Sequence, residues 1–94
     1  MKAHELLSPE GAWTQGVMAS DQDGLVCWAL APQARSWCLL GALHRCYNDT
    51  DYGYAVDDIE SILRLQGYDY PEAWNDAPER TQAEVVALLK ELDI

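Results

Sequence analysis

The chain has 94 residues, with sixteen acidic and six basic side chains and a formal net charge of −10 at pH 7. This length supports one domain with a modest core, and the acidic charge disfavours direct binding to nucleic acid or anionic membranes. Three cysteines without a CxxC pair are not typical of a secreted disulfide framework. Residues 1–10 lack a signal-peptide core, and the longest apolar run, Trp37 to Leu43, is too short to span a bilayer. We therefore expect a soluble cytoplasmic protein.

The N-terminal part predicts a short helix followed by a β-hairpin. The helix covers residues 1–7, and the segment from Ser8 to Gly11 ends it. Residues 12–19 alternate loosely between apolar and polar side chains, and residues 25–28 are rich in β-forming types. Asp21 to Gly24 is a strong turn sequence between these runs, because Asp-Gly readily adopts left-handed backbone angles. The two runs are expected to pair across this turn.

A central helix is predicted from Pro32 to about Tyr47, since proline suits the first turn of a helix. The stretch from Trp37 to Leu43 is apolar nearly all round, which indicates burial on several sides. Gly41 within it costs about 1 kcal/mol of helix propensity relative to alanine. A close crossing by another element at Gly41 would offset that cost.

A polar loop is expected from Asn48 to Gly53, followed by a second helix from about Tyr54 to Gln66. The apolar residues of this helix recur at helical spacing, and Gly67 is placed to end it. Its acidic residues favour its N-terminal half through the helix dipole.

The segment from Tyr68 to Arg80 is expected to be irregular or short-helical, because Pro71 and Pro78 prevent a long helix. A capping box from Thr81 to Glu84 then begins the last helix. The predicted fold class is α+β, with an N-terminal β-hairpin packed against about three main helices and the central helix buried.

Cys38 is the candidate for thiol chemistry, because a helix N-terminus lowers the pKa of a thiol. A nucleophile also needs a nearby base, and His44, six residues further along the same predicted helix, is turned by about 240°. Cys38 also falls a turn or more inside the predicted helix. A buried core thiol is therefore the favoured interpretation. A small thiol-dependent enzyme using Cys38, assisted by Asn75 or His44, is the alternative.

Neither the potential zinc ligands nor the potential calcium loop has suitable spacing. The available zinc ligands are Cys27, Cys38, His44 and Cys46. Their spacing fits none of the usual paired zinc knuckles, and His44 and Cys46, two residues apart on one predicted helix, point in different directions. The segment beginning at Asp49 resembles a calcium loop with Glu60 at its twelfth position, but Gly53 falls at the fifth position, not the sixth. No metal and no cofactor are predicted, and no complete catalytic motif is present.

The segment from Trp74 to Thr81 has two interpretations. Asp76 and Arg80 could form an ion pair in a polar site. Alternatively, Asn75 could bond backbone groups that the helices leave free, with Trp74 packed on the core beneath. The second interpretation, a loop clamp, is favoured because each residue type has a local backbone role there.

Several short segments together resemble a family of small uncharacterised bacterial and phage proteins, a domain of unknown function. The segments are GAWTQG (Gly11 to Gly16), WCLLGAL (Trp37 to Leu43), WND (Trp74 to Asp76) with Arg80-Thr81, and EVVALL (Glu84 to Leu89). The resemblance implies no established activity, cofactor or catalytic residue. It implies a shared framework that includes Trp13, Cys38, Gly41, Asn75, Asp76 and Arg80.

The chain departs from the resemblance in its short N-terminal helix and in the segment from Asn48 to Tyr54. If the fold lies in the shared motifs, any special binding would lie in that acidic segment. By analogy, a small acidic protein with phage relatives could inhibit a host defence system, as anti-CRISPR proteins do when they present carboxylates in place of phosphates.

The stretch from Tyr47 to Glu79 holds all five tyrosines, nine of the sixteen acidic side chains and one basic residue, Arg64. Such a surface repels phosphate and attracts basic partners. We predict a non-enzymatic acidic binding or inhibitor protein that engages a basic protein surface, for example that of a nucleic-acid-binding protein. A purely structural or oligomerising domain is a further alternative. The predicted partner-binding residues are Asp49, Asp51, Tyr52, Tyr54, Asp57 and Asp58.

Overall fold

A three-stranded antiparallel sheet lies near the N-terminus of the chain, in a computed structural model that describes all residues from 1 to 94. Its strands are β1 (Ala19–Ser20), β2 (Val26–Cys27) and β3 (Ser36–Trp37), in the order β2-β1-β3. Strands β1 and β2 form the predicted hairpin. Its turn is held by Asp21, whose carboxylate accepts hydrogen bonds from two backbone N–H groups further along the turn.

Strand β3 lies inside the segment predicted as the first half of the central helix, so that part of the prediction is wrong. The helix, α2, runs only from Leu39 to Cys46. Trp37 donates its backbone N–H to the carbonyl of Ala12, at 2.8 Å, and the hydroxyls of Ser20 and Ser36 are hydrogen-bonded within the sheet. Hydrogen bonds to residues distant in sequence thus hold Ser36 and Trp37 in an extended conformation. Tertiary pairing of this kind overrides local helix propensity.

The other helices are α1 (Ala3–Leu7), α3 (Asp49–Leu65), α4 (Pro71–Asn75) and α5 (Gln82–Glu91). The N-terminal helix and the capping box before α5 are as predicted. The predicted loop from Asn48 to Gly53 is wrong, because the side chain of Asn48 accepts the N–H of Asp51 and begins α3 there. No helix combines the length and the apolar character needed to cross a membrane.

Helix α2 is at the centre of the fold, as predicted, and contacts α1, α3, α4 and β3. Its side chains Leu39, Ala42 and Leu43 are fully buried. Gly41 lies against the backbone carbonyl of Met18, which leaves no space for a Cβ atom. The expected close crossing at Gly41 is therefore present. It brings the N-terminus of α2 beside the loop that precedes β1 and beside the end of α4.

Candidate functional site

Asn75, at the end of α4, is the centre of a buried hydrogen-bond network. Its side chain is 1% exposed. The Oδ1 atom accepts from the indole N–H of Trp13 at 2.7 Å and from the backbone N–H of Leu39 at 3.0 Å. The Nδ2 atom donates to the carbonyl of Thr14 and to the carboxylate of Asp76. Asn75 thus joins the N-terminal loop, α2 and α4, and it has the predicted role of bonding backbone groups.

Gln15 and Gly16 complete this clamp from the N-terminal loop. The amide of Gln15 donates to the carbonyls of Asn75 and Ala77, at 2.9 and 3.0 Å. The N–H of Gly16 donates to Oδ1 of Asp76 at 2.9 Å. Sequence reasoning did not assign Gln15 a role, although it lies within the GAWTQG segment that carries the resemblance.

Arg80 does not pair with Asp76. Its Nε donates to the carbonyl of Trp74 at 2.8 Å, and its guanidinium lies 4.1 Å from the centre of the Trp74 ring. Its remaining nitrogens bond Glu84 and the hydroxyl of Tyr68. Arg80 therefore fixes Trp74, and Asp76 has no basic partner.

A cavity of about 350 Å³ lies beside the clamp, and we refer to it as the Cys38 cleft. Its apolar lining comes from Val17, Met18, Leu39 and Leu40, with Cys38 and Gly16 between them. Glu72, Asn75 and Asp76 complete the lining. Glu72 and Asp76 are exposed residues.

Cys38 is the N-cap residue of α2, not a residue inside the helix as predicted. Its Sγ accepts the N–H of Gly41 at 3.3 Å and lies 3.9 Å from the sulfur of Met18. Burial raises the pKa of the Cys38 thiol, and this effect exceeds the opposing effect of the hydrogen bond from Gly41. The ring of His44 is stacked on Tyr52 instead, with centroids 4.0 Å apart. The hydrogen-bond partners of the thiol are Met18 and Gly41, and neither is a base.

This environment predicts slow alkylation of Cys38 by iodoacetamide at pH 7. Cys38 is 8% exposed, and a raised pKa leaves less of the reactive thiolate at neutral pH. We expect labelling at least about tenfold slower in the folded protein than in the chain unfolded in urea. Because the pKa lies above its usual value, the rate should keep increasing as the pH rises past that value. Peptide mass spectrometry resolves Cys38 from Cys27 and Cys46. Rapid labelling of folded Cys38 at pH 7 would instead support the thiol-dependent enzyme.

No group of three or more His, Cys, Asp or Glu side chains is arranged to hold a metal ion. The segment compared with a calcium loop is continuous helix, because α3 includes every residue from Asp49 to Glu60. At 100° per residue, its carboxylates point in different directions and cannot converge on one ion.

The six predicted partner-binding residues all lie in the first three turns of α3. Asp51, Tyr54 and Asp58 have helical spacing and line one groove of about 270 Å³, together with Tyr47 and the residues from Leu92 to Ile94. Asp57 is exposed beside them, whereas Asp49, which is also exposed, projects about 160–180° away from Asp51 and Asp58 at 100° per residue. Tyr52 is half-buried and packs on His44, so the structure does not bring it to the same surface.

None of the aspartates on this surface is neutralised by a basic side chain. The three salt bridges of the molecule are Lys2–Asp93, Glu60–Arg64 and Arg80–Glu84. Tyr54 is 68% exposed between the unpaired carboxylates. We refer to Asp51, Tyr54, Asp57 and Asp58 as the acidic face of α3.

Fold and site together define a small acidic α+β domain, held by an internal polar clamp and carrying an unpaired acidic surface on its longest helix. Residues 1–92 match the model of the family of unknown function DUF6197, and the chain belongs to that family. The resemblance to a domain of unknown function is thereby confirmed. No curated protein and no solved structure matches the chain.

Proposed function

We propose that this protein is a non-enzymatic binding protein that engages a basic surface of another protein through the acidic face of α3. The main support is that Asp51, Asp57 and Asp58 have no basic partner in the molecule. Unpaired charges of one sign produce a field that steers an oppositely charged partner and accelerates association.

Tyr54 is the proposed anchor of this interface. It is 68% exposed, and it borders the same groove as Asp51 and Asp58. A tyrosine ring contributes a large contact area at low entropic cost and is frequent among residues that dominate binding energy. Tyr52 stacks on His44 and would support the surface from beneath, without touching the partner.

The proposed partner is a protein whose basic surface normally contacts nucleic-acid phosphates, because carboxylates of α3 could take the place of those phosphates. A narrower form of the proposal is a phage-encoded inhibitor of host defence, similar to an anti-CRISPR protein, acting in the cytoplasm. This form depends on the resemblance to phage proteins and on the net charge of −10.

The charge requirement is tested with the double variant Asp51→Asn/Asp58→Asn. The matched control is Asp23→Asn/Asp69→Asn, which makes the same charge change at exposed residues away from the groove. We expect three- to tenfold weaker binding for the first variant only, because exposed ion pairs contribute about 0.2–1 kcal/mol each. Partners captured from a lysate of the encoding organism are identified by mass spectrometry, and their affinities are then measured with purified partner.

Binding should also weaken between about 50 and about 300 mM salt, as screening of exposed charges requires. Equal affinities of the two variants, or binding that is insensitive to salt, would contradict the proposal. A Tyr54→Ala variant tests the anchor within the same experiment.

One observation favours self-association as a second candidate function. Four large apolar side chains of the β2 region, Leu25, Val26, Trp28 and Leu30, are each more than half exposed at the unpaired edge of the sheet. Exposed apolar edges promote strand pairing between chains. The net charge of −10 opposes it, since two copies would bring like charges together. Self-association is therefore the second candidate function, after binding to a basic partner.

A further inference from the structure

The Cys38 cleft carries two carboxylates that no basic side chain neutralises. Glu72 takes part in no salt bridge. Asp76 uses Oδ1 to accept from Gly16 and Asn75, which leaves Oδ2 without a protein donor. Arg80, the basic residue nearest to them in sequence, is committed to Trp74 and Glu84. The cleft is therefore negatively charged.

The rest of the cleft is apolar and small. Met18 and Leu40 are half-buried, and Leu39 is fully buried beneath them. Its volume of about 350 Å³ lies at the lower end of the range for ligand-binding clefts, which is roughly 300–1,000 Å³. This space suits one long side chain or a ligand of similar size.

Two backbone donors at the start of α2 are not available to an anion. The N–H of Leu39 is bonded to Asn75, and the N–H of Gly41 is bonded to the sulfur of Cys38. The carboxylates of Glu72 and Asp76 would also repel a negative group. A neutral apolar ligand would desolvate these carboxylates without compensation. The lining is thus complementary to a cation on an apolar stem.

We propose that the Cys38 cleft binds an arginine side chain of the protein partner, with its guanidinium against Glu72 and Asp76 and its stem on Met18 and Leu40. Arginine fits better than lysine, because its planar guanidinium pairs with carboxylates through several donors and is more weakly hydrated. Its methylene stem gains from burial against apolar residues. The inference rests on the proposed function for the source of the arginine.

Two features support this assignment. Asn75 holds Asp76 in place, so little conformational freedom is lost when the cation binds. The pKa of Tyr52 is raised, mainly by burial and then by the negative charge of Glu72, so the negative charge of the cleft also acts on this neighbouring tyrosine. The cleft and the groove at the acidic face of α3 share no lining residue, so a partner that uses both must extend beyond α3.

The test is an NMR titration of the full chain with N-acetyl-arginine methylamide. We expect saturable shifts of the backbone amides of Gly16, Met18 and Leu40. N-acetyl-citrulline methylamide is the neutral isostere, and methylguanidinium lacks the apolar stem, so both should bind more weakly. Glu72→Gln should weaken arginine binding, and Glu72→Gln/Asp76→Asn should weaken it at least about tenfold. Asparagine at position 76 retains an oxygen that can accept from Gly16.

The matched control is Glu10→Gln/Asp69→Asn, which removes two exposed carboxylates outside the cleft and should leave the affinity unchanged. Absence of shifts at the cleft amides, equal binding of citrulline, or equal weakening in the control would overturn the inference. The titration uses a free arginine derivative and not the protein partner. It therefore tests the Cys38 cleft independently of the proposed binding at the acidic face of α3. Intact arginine binding with no effect of the α3 variants on partner capture would refute the proposed function alone.

Discussion

Replacement of Gly41 by alanine is expected to lower the free energy of unfolding by about 2 kcal/mol or more, although alanine is the better helix former. A Cβ atom at this position would lie 2.9 Å from the carbonyl carbon of Met18 and closer still to its oxygen. Both atoms are backbone, so no side-chain rotation relieves the contact. The same oxygen accepts the N–H of Cys38 at 3.1 Å, and any displacement would weaken that bond.

Gly53 in α3 provides the matched control. It is also helical, but a Cβ atom there meets nothing within 4 Å. Gly53→Ala should therefore raise the free energy of unfolding by roughly 0.5–1 kcal/mol, through helix propensity and reduced freedom of the unfolded chain. Urea denaturation followed by tryptophan fluorescence measures both variants. A change of the same sign in both would contradict the argument that the α2 crossing requires glycine.

Sequence patterns were sufficient where local signals and tertiary contacts agree. The turn from Asp21 to Gly24 forms its hairpin, and the capping box at Thr81 begins α5. At α3 the helix start was missed, although Asn48 is a good N-cap residue with Asp51 three residues later. Gly53 makes this segment resemble a loop, because glycine has a low helix propensity. The helix forms nevertheless, because the cost of this exposed glycine is offset elsewhere in α3.

Strand β3 could not be read from local sequence. Its residues, Ser36 and Trp37, lie between segments with helical composition, and their extended form depends on bonds to Ala12 and to β1. The predicted central helix begins at Pro32, so the prediction puts Cys38 inside a helix. In the structure α2 begins at Leu39, and Cys38 is its N-cap residue. Tertiary hydrogen bonds decided this boundary, and they have no local sequence signal.

The candidate site was only partly predictable for the same reason. The clamp role of Asn75 followed from residue type and loop context. The Cys38 cleft did not, because it is assembled from residues 16–18, 38–40 and 72–76, which are distant in sequence. Composition was enough to group the acidic residues of α3, but only the helix phase separates Tyr52 from the face that carries Tyr54.

Asn75→Ala is expected to cost about 3–5 kcal/mol of unfolding free energy, a large fraction of the total for a small domain. The substitution leaves the indole N–H of Trp13, the N–H of Leu39 and the carbonyl of Thr14 without their partner. A buried polar group that loses its hydrogen bond costs about 1–3 kcal/mol. Leu39 is fully buried and Asn75 is 1% exposed, so the lost bonds lie in the interior of the folded protein.

Asn48→Ala is the comparison, since it removes an asparagine side chain that accepts one bond, from Asp51, at the exposed start of α3. The loss of such a cap costs about 1 kcal/mol. Urea denaturation should therefore separate the two variants by at least about 2 kcal/mol. Similar stabilities would mean that Gln15 and Gly16 hold the loop without Asn75. The position of Asp76, and with it the charge of the Cys38 cleft, would then depend on the backbone of α4 and not on the network around Asn75.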